Sequence, residues 1–153
     1  MLKRVTTAIV TDGSQNATVF LGNKLRGRLH MIIYRPGTLV NGQASAAPLD
    51  TGADLTITAE QVPPGTAAQS AAAANTIPAG TPILTKSNLG TVDSFLYPRA
   101  LPTNANSLTG PLGTIPSEYI PLVEERIKVV VAQGGATKSG SIEAIYEVDE
   151  PVG

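Results

Sequence analysis

A chain of 153 residues with a formal net charge of −1 and only 15% charged residues is sized for one domain around a single core, and its charge balance points to neither nucleic acid nor an acidic partner. With no cysteine and one histidine, His30, disulfides, Cys–zinc sites and thiol catalysis are excluded, and a His-rich metal site or a Ser-His-Asp triad lacks its ligands. There is no run of 18 apolar residues, and no apolar stretch follows the basic Met1-Leu2-Lys3-Arg4; the expectation is a protein made in the cytoplasm, without a membrane span or signal peptide.

The low charge, beside 42% apolar residues, leaves a surface of Thr, Ser, Asn, Gln and Ala, which suits a protein packed against neighbours. The 15 Gly and 12 Pro are scattered, so few windows are free enough of them to hold a helix, and the chain reads as all-β. Val5 to Thr11, rich in Thr and β-branched residues, predicts a strand. The turn cluster Asp12-Gly13-Ser14-Gln15-Asn16 and the run Ala17 to Leu21 then complete an expected first hairpin. Asn23 to Gly27 reads as a polar connection, and Arg28 to Arg35 as a strand stopped by Pro36-Gly37. His30 lies inside that strand, where it is expected to be half-buried or to face solvent, since no second histidine gives it a catalytic partner.

Thr38 to Pro48 is a loop, and Asp50 to Gly52 predicts an Asx-type turn, in which a short Asp side chain accepts from the backbone two residues on. Leu55-Thr56-Ile57-Thr58 alternates strictly, with Leu55 and Ile57 toward the core. Glu60 to Pro82 is different: low in complexity, punctuated by proline and long for a loop in a compact domain, a type that is functional or disordered. It reads as an arm that orders against a neighbouring chain, with one helical turn at Ala67 to Ala74. Ile83 to Asn88 and Val92 to Tyr97 are further strands, and Thr103 to Pro116 is a polar loop. Ile120 to Glu125 leads into Arg126 to Ala132, Gln133 to Gly140 turns, and Ser141 to Val148 returns with Ile142, Ala144, Tyr146 and Val148 on one face and Glu143, Ile145 and Glu147 on the other. This predicts a C-terminal hairpin, with Asp149 to Gly153 a tail. Seven to nine short strands in residues 1–153 suggest one β-sandwich or jelly-roll-like barrel bearing a long Ala/Pro-rich arm.

Leu49-Asp50-Thr51-Gly52-Ala53-Asp54 matches the catalytic loop of retropepsin-like aspartic proteases, in which two carboxylates share a proton and activate a water; one copy per chain suffices in a symmetric dimer. Three features oppose that reading. The bracing Gly-Arg-Asn/Asp helix start is missing, the Pro/Ala arm stands where a glycine-rich flap should follow, and Ala47-Pro48 replaces the apolar strand that delivers the aspartate. Read as structure, the motif is a turn that feeds the Leu55 to Ala59 strand.

Several segments together carry a wider resemblance. They are Asp12-Gly13-Ser14-Gln15-Asn16-Ala17, Arg26-Gly27-Arg28-Leu29, Leu49 to Thr58, Tyr97-Pro98-Arg99 and, most specifically, Val123-Glu124-Glu125-Arg126-Ile127-Lys128-Val129-Val130-Val131-Ala132-Gln133-Gly134-Gly135. This combination resembles the small all-β virion structural proteins of tailed bacteriophages, with the arm expanded. The resemblance implies a non-enzymatic capsid decoration or cement protein, with no cofactor and no metal. It would be located on the outside of the capsid and partnered by the major capsid protein and by copies of itself as a dimer or trimer. A head–tail connector, collar or tail protein is the alternative. A carbohydrate-binding sandwich is disfavoured because two Phe, four Tyr and no Trp offer few rings. The candidate contact residues are Lys3 and Arg4 at the N-terminus and Val62, Pro63, Pro64, Ile77 and Pro78 in the arm.

Overall fold

In a computed structural model, which describes residues 1–61, 81–99 and 119–148, the chain is all-β. Its strands are β1 (Leu2–Val10), β2 (Ala17–Arg35), β3 (Asp54–Gln61), β4 (Thr81–Lys86), β5 (Ser94–Leu96), β6 (Ile120–Ala132) and β7 (Ser139–Glu147). All pair antiparallel in one sheet of order β1-β7-β2-β6-β3-β4, with β5 added on β2. The architecture is β-sandwich or barrel-like, and the element that makes it so is β2.

The sequence breaks β2 at Asn23 to Gly27, yet the chain stays in the sheet throughout. Residues Ala17 to Leu29 pair with β6, Arg28 to Arg35 pair with β7, and Ile32 to Tyr34 also pair with β5. Positive φ at Gly22 (69°), Lys24 (51°) and Gly27 (128°), with register shifts beside them, bends the strand where it changes partner. Gly27 is the tight point. A Cβ there would overlap the Glu147 carbonyl oxygen and stand 3.1 Å from the Val148 Cα, so only glycine lets β2 cross β7 this closely.

Folding the sheet over that bend brings both halves against one core. Ile9, Tyr34, Ile142 and Ala144 come from one side, and Leu21, Leu55, Ile57, Ile127, Val129 and Val131 from the other. The alternation read in β3 and β7 holds, with Leu55, Ile57, Ile142 and Ala144 fully buried and Tyr146 packed against the cluster. Burial at that scale is the main favourable term, each large aliphatic side chain contributing roughly 1.5–3 kcal/mol.

The two expected hairpins are corrected by the topology. β1 pairs with β7, not with β2, and β6 pairs with β2 and β3, not with β7. Asp12–Asn16 and Gln133–Lys138 do reverse the chain, but each passes it from one half of the fold to the other. Local turn chemistry reports a reversal and carries no information on which strand lies alongside. Among the described strands, only β3 and β4 are both adjacent in sequence and paired. The strands also extend into the proposed arm: Glu60 and Gln61 belong to β3, and Thr81 and Pro82 to β4. Pro82 is tolerated because β4 is a terminal strand, with a register shift beside it. The helical turn expected at 67–74, the polar loop at 103–116 and the tail at 149–153 lie outside the described residues.

Candidate functional site

Four loops meet at one end of the molecule. Thr11, buried just past β1, donates its hydroxyl to the Gly135 carbonyl (2.6 Å) and accepts from the Lys138 amide (2.8 Å). The Gly134 amide donates to the Gln15 carbonyl, the Asp50 amide to the Gly134 carbonyl, and the Gly90 amide to the Thr51 carbonyl, at 2.9, 3.0 and 3.1 Å. The Asp-Thr-Gly motif is therefore held by main-chain bonds from both sides. Its turn closes through the Ala53 amide on the Asp50 carbonyl (3.2 Å), in place of the expected side-chain acceptor. The Asx geometry belongs to Asp12, whose Oδ1 accepts from the Ser14 and Asn16 amides at 2.8 and 3.1 Å.

The Asp50 carboxylate is thereby left free to face outward. Its side chain is 54% exposed and lies 3.9 Å from Lys138 Nζ. It borders an open groove of about 590 Å³, whose walls include Gln15, Leu49, Thr51, Gln133 and Lys138. Asp50 is the sole carboxylate among the lining residues, so the two-carboxylate chemistry of the aspartic proteases would need a second copy of the chain to bring its own Asp50 to the groove. Asp54, the second acid of the motif, points elsewhere, accepting from the Asn88 amide at 3.0 Å. Among the described residues no group of three or more His, Asp or Glu is placed to hold a metal ion, and no helix is long and apolar enough to cross a membrane.

The opposite end is built differently. His30 is half-buried, with Nε2 3.3 Å from Glu147 Oε2 and its ring 4.5 Å from that of Tyr119. Arg99 lies over the Tyr119 ring at 4.2 Å and donates to the His30 carbonyl at 2.9 Å. Residues 99 and 119 are thus pinned together on β2. Gln61 meets Glu125 of β6, opposite Leu25, and the Val148 amide donates to the Met1 carbonyl beside the Gly27 crossing. The described ends at Met1, Gln61, Arg99, Tyr119 and Val148 are therefore anchored around the Leu25–His30 part of β2 or on the strands beside it, while Thr81 pairs with Ala59 of β3.

Charged side chains on the outward faces are more buried than alternation alone implies. Glu60 and Arg126 are 8% and 4% exposed, joined at 2.6 Å, with the Arg126 guanidinium 3.9 Å over the Phe20 ring. Glu143 is 5% exposed, 2.7 Å from Arg35 Nη1 and 3.2 Å from Arg4 Nη1. The partners are 66, 108 and 139 residues apart in sequence and meet only through the fold, as β3–β6, β2–β7 and β1–β7 neighbours, so no local pattern announces them.

Of the predicted contact residues, Lys3 and Arg4 stand exposed on β1, a terminal strand of the sheet. Val62, Pro63, Pro64, Ile77 and Pro78 lie outside the described residues. The sequence reading passed over a further set: Phe95 and Tyr97, two apart on and beyond β5, are 54% and 62% exposed. Their only sequence signal is that i, i+2 spacing beside a strand-ending Pro98. Compared with protein-family profiles, curated proteins and solved structures, the chain has no significant match.

Proposed function

We propose that this is a non-enzymatic virion structural protein of the tailed-bacteriophage type, a decoration or cement protein that binds the outside of a capsid and stabilises it. The observation that carries the reading is the placement of aromatic side chains. The chain has two Phe and four Tyr, and Phe95, Tyr97 and Tyr119 are exposed on the surface. Aromatic anchors of this kind are enriched in protein–protein interfaces and dominate their energetics. They sit on a rigid β-body of low charge, suited to repeated attachment on a lattice, where modest single contacts add through multivalency. The aspartate turn supports the non-enzymatic side, since Asp50 faces solvent beside a lysine and the turn is held by backbone bonds.

The test is location and copy number. Quantitative mass spectrometry of purified virions is expected to find the protein in many copies, and image reconstruction to place it on the shell. A handful of copies per particle would move it to a head–tail connector, collar or tail position, and its absence from virions would overturn the reading. Replacing Phe95 and Tyr97 together by serine is expected to weaken capsid binding at least tenfold while leaving the melting temperature within a few degrees, because both side chains are already exposed.

A further inference from the structure

Among the described strands β1 ends the sheet, and its outer edge has a self-complementary pattern. Met1 and Val148 exchange backbone hydrogen bonds, at 2.9 and 3.3 Å, and the Thr11 amide donates to the Lys138 carbonyl at 2.9 Å. Antiparallel ladders alternate, so between these limits the odd residues of β1 bond to β7. Leu2, Arg4, Thr6, Ala8 and Val10 then direct their N–H and C=O groups away from β7, on a strand that ends the sheet. The same five side chains are exposed, Leu2 and Val10 at 60% and 61%. The edge is nine residues long and has no proline or bulge, the kind of edge that proteins ordinarily cover or disrupt.

We propose that a second copy of this chain covers it: two β1 strands pair antiparallel about a two-fold axis through Thr6. In that register Thr6 faces Thr6, Arg4 faces Ala8, and Leu2 faces Val10 of the other copy, so all five outward-directed residues exchange hydrogen bonds and the exposed aliphatic ends cover each other. Charge selects the register. The two Arg4 side chains are offset by four residues, about 14 Å along the strands, beyond the screening length at physiological salt. A slip that sets Arg4 against Arg4 opposes like charges, and any other slip unpairs Leu2 from Val10. The contact is isologous, as a closed dimer requires, and joins the two sheets by β-augmentation. It deepens the oligomer of the proposed virion protein but rests on the edge geometry alone.

Because the chain has no cysteine, a Thr6→Cys variant carries one thiol. Opposed hydrogen-bonded residues lie about 5.5 Å apart at Cα, within disulfide reach. Oxidation is expected to cross-link Thr6→Cys at least tenfold faster than Leu2→Cys or Val10→Cys alone, while an equal mixture of those two cross-links with each other. Ala8→Lys, which faces Arg4 of the other copy, is expected to weaken dimerisation in sedimentation experiments, and Ala8→Glu to tighten it, with thermal unfolding unchanged at dilutions where all three chains are monomeric. A wild-type chain that stays monomeric at every concentration, a trimer, equal cross-linking at all three positions, or the same effect from Ala8→Lys and Ala8→Glu would each overturn the pairing. None of these outcomes bears on virion location, which the copy number reads separately.

Discussion

At the turn end, four loops are tied to one another by main-chain hydrogen bonds at Thr11, Gln15, Asp50, Thr51, Gly90 and Gly134, with the Thr11 hydroxyl added. At the other end, among the described residues, the strands are held by a glycine crossing, two cation–aromatic stacks and a buried ion pair. The turn end spreads its stability over many interchangeable backbone bonds, each contributing about 1 kcal/mol. The crossing end concentrates it in a few side chains, or in the lack of one. The first arrangement tolerates side-chain change, and the second does not.

The sharpest test of that contrast is a pair of glycine substitutions. Gly27→Ala meets the Glu147 backbone at a φ of 128°, and neither can yield without moving a strand. The expected loss is about 3–5 kcal/mol, or failure to fold, read by denaturant unfolding. Gly135→Ala also sits at positive φ, 84°, but its Cβ would meet the carboxylate end of the exposed Asp50 side chain at 2.5 Å, which can swing away, and Cγ of the half-buried Lys138 at 2.8 Å. A loss nearer 1–2 kcal/mol is expected, and an equal loss at both positions would break the comparison.

Next in size is Arg126→Met, which leaves the Glu60 carboxylate buried without its partner and is expected to cost about 3–5 kcal/mol. The double change Glu60→Leu with Arg126→Met should recover most of that, since a buried pair and an apolar pair are close in stability. At the turn end, Thr11→Val removes a hydroxyl bonded to Gly135 and Lys138 and should cost about 1–3 kcal/mol. Asp50→Ala, at the surface of the same cluster, should cost under about 1 kcal/mol, because an exposed pair contributes little and the turn closes through backbone.

Tyr34 belongs to neither end and gives a pH test of the core between them. It is fully buried, its hydroxyl has no hydrogen-bond partner among the described residues, and burial pushes its pKa up to about 12. An unfolded tyrosine ionises near pH 10. Below pH 10 both states keep the proton and stability is unaffected; between pH 10 and 12 only the unfolded chain releases it, so stability falls. That slope integrates to roughly 2–3 kcal/mol. Tyr34→Phe should remove this contribution to the alkaline loss and leave neutral-pH stability equal or slightly higher, since a buried unsatisfied hydroxyl disappears.

The fold class was legible because strand signals are local. The β-branched run of β1 and the alternation of β3 and β7 place their core residues without reference to the rest of the chain. Pairing was not legible. Gln133-Gly134-Gly135 marks a reversal whether β7 returns beside β6 or crosses to β1, and only the packing of β2 between β6 and β7 decides. Asn23 to Gly27 look like a connection because the bend of a strand and a loop use the same residues. The aspartate turn was placed correctly as the lead into β3, but its side chain does not make the bond its type suggests. Glu143 could be assigned to the outward face, whereas its burial depends on Arg4 and Arg35, brought to it by strand pairing.

The pairing of β1 with β7 has a consequence for how the chain is made. Among the described strands, β1 finds its sheet neighbour only when β7 has been synthesised, and β2 likewise waits for β6 and β7. Pairings this distant in sequence fold slowly. Until then β1 presents two open edges, and Lys3 and Arg4 are its charged residues, the kind that opposes edge-to-edge aggregation.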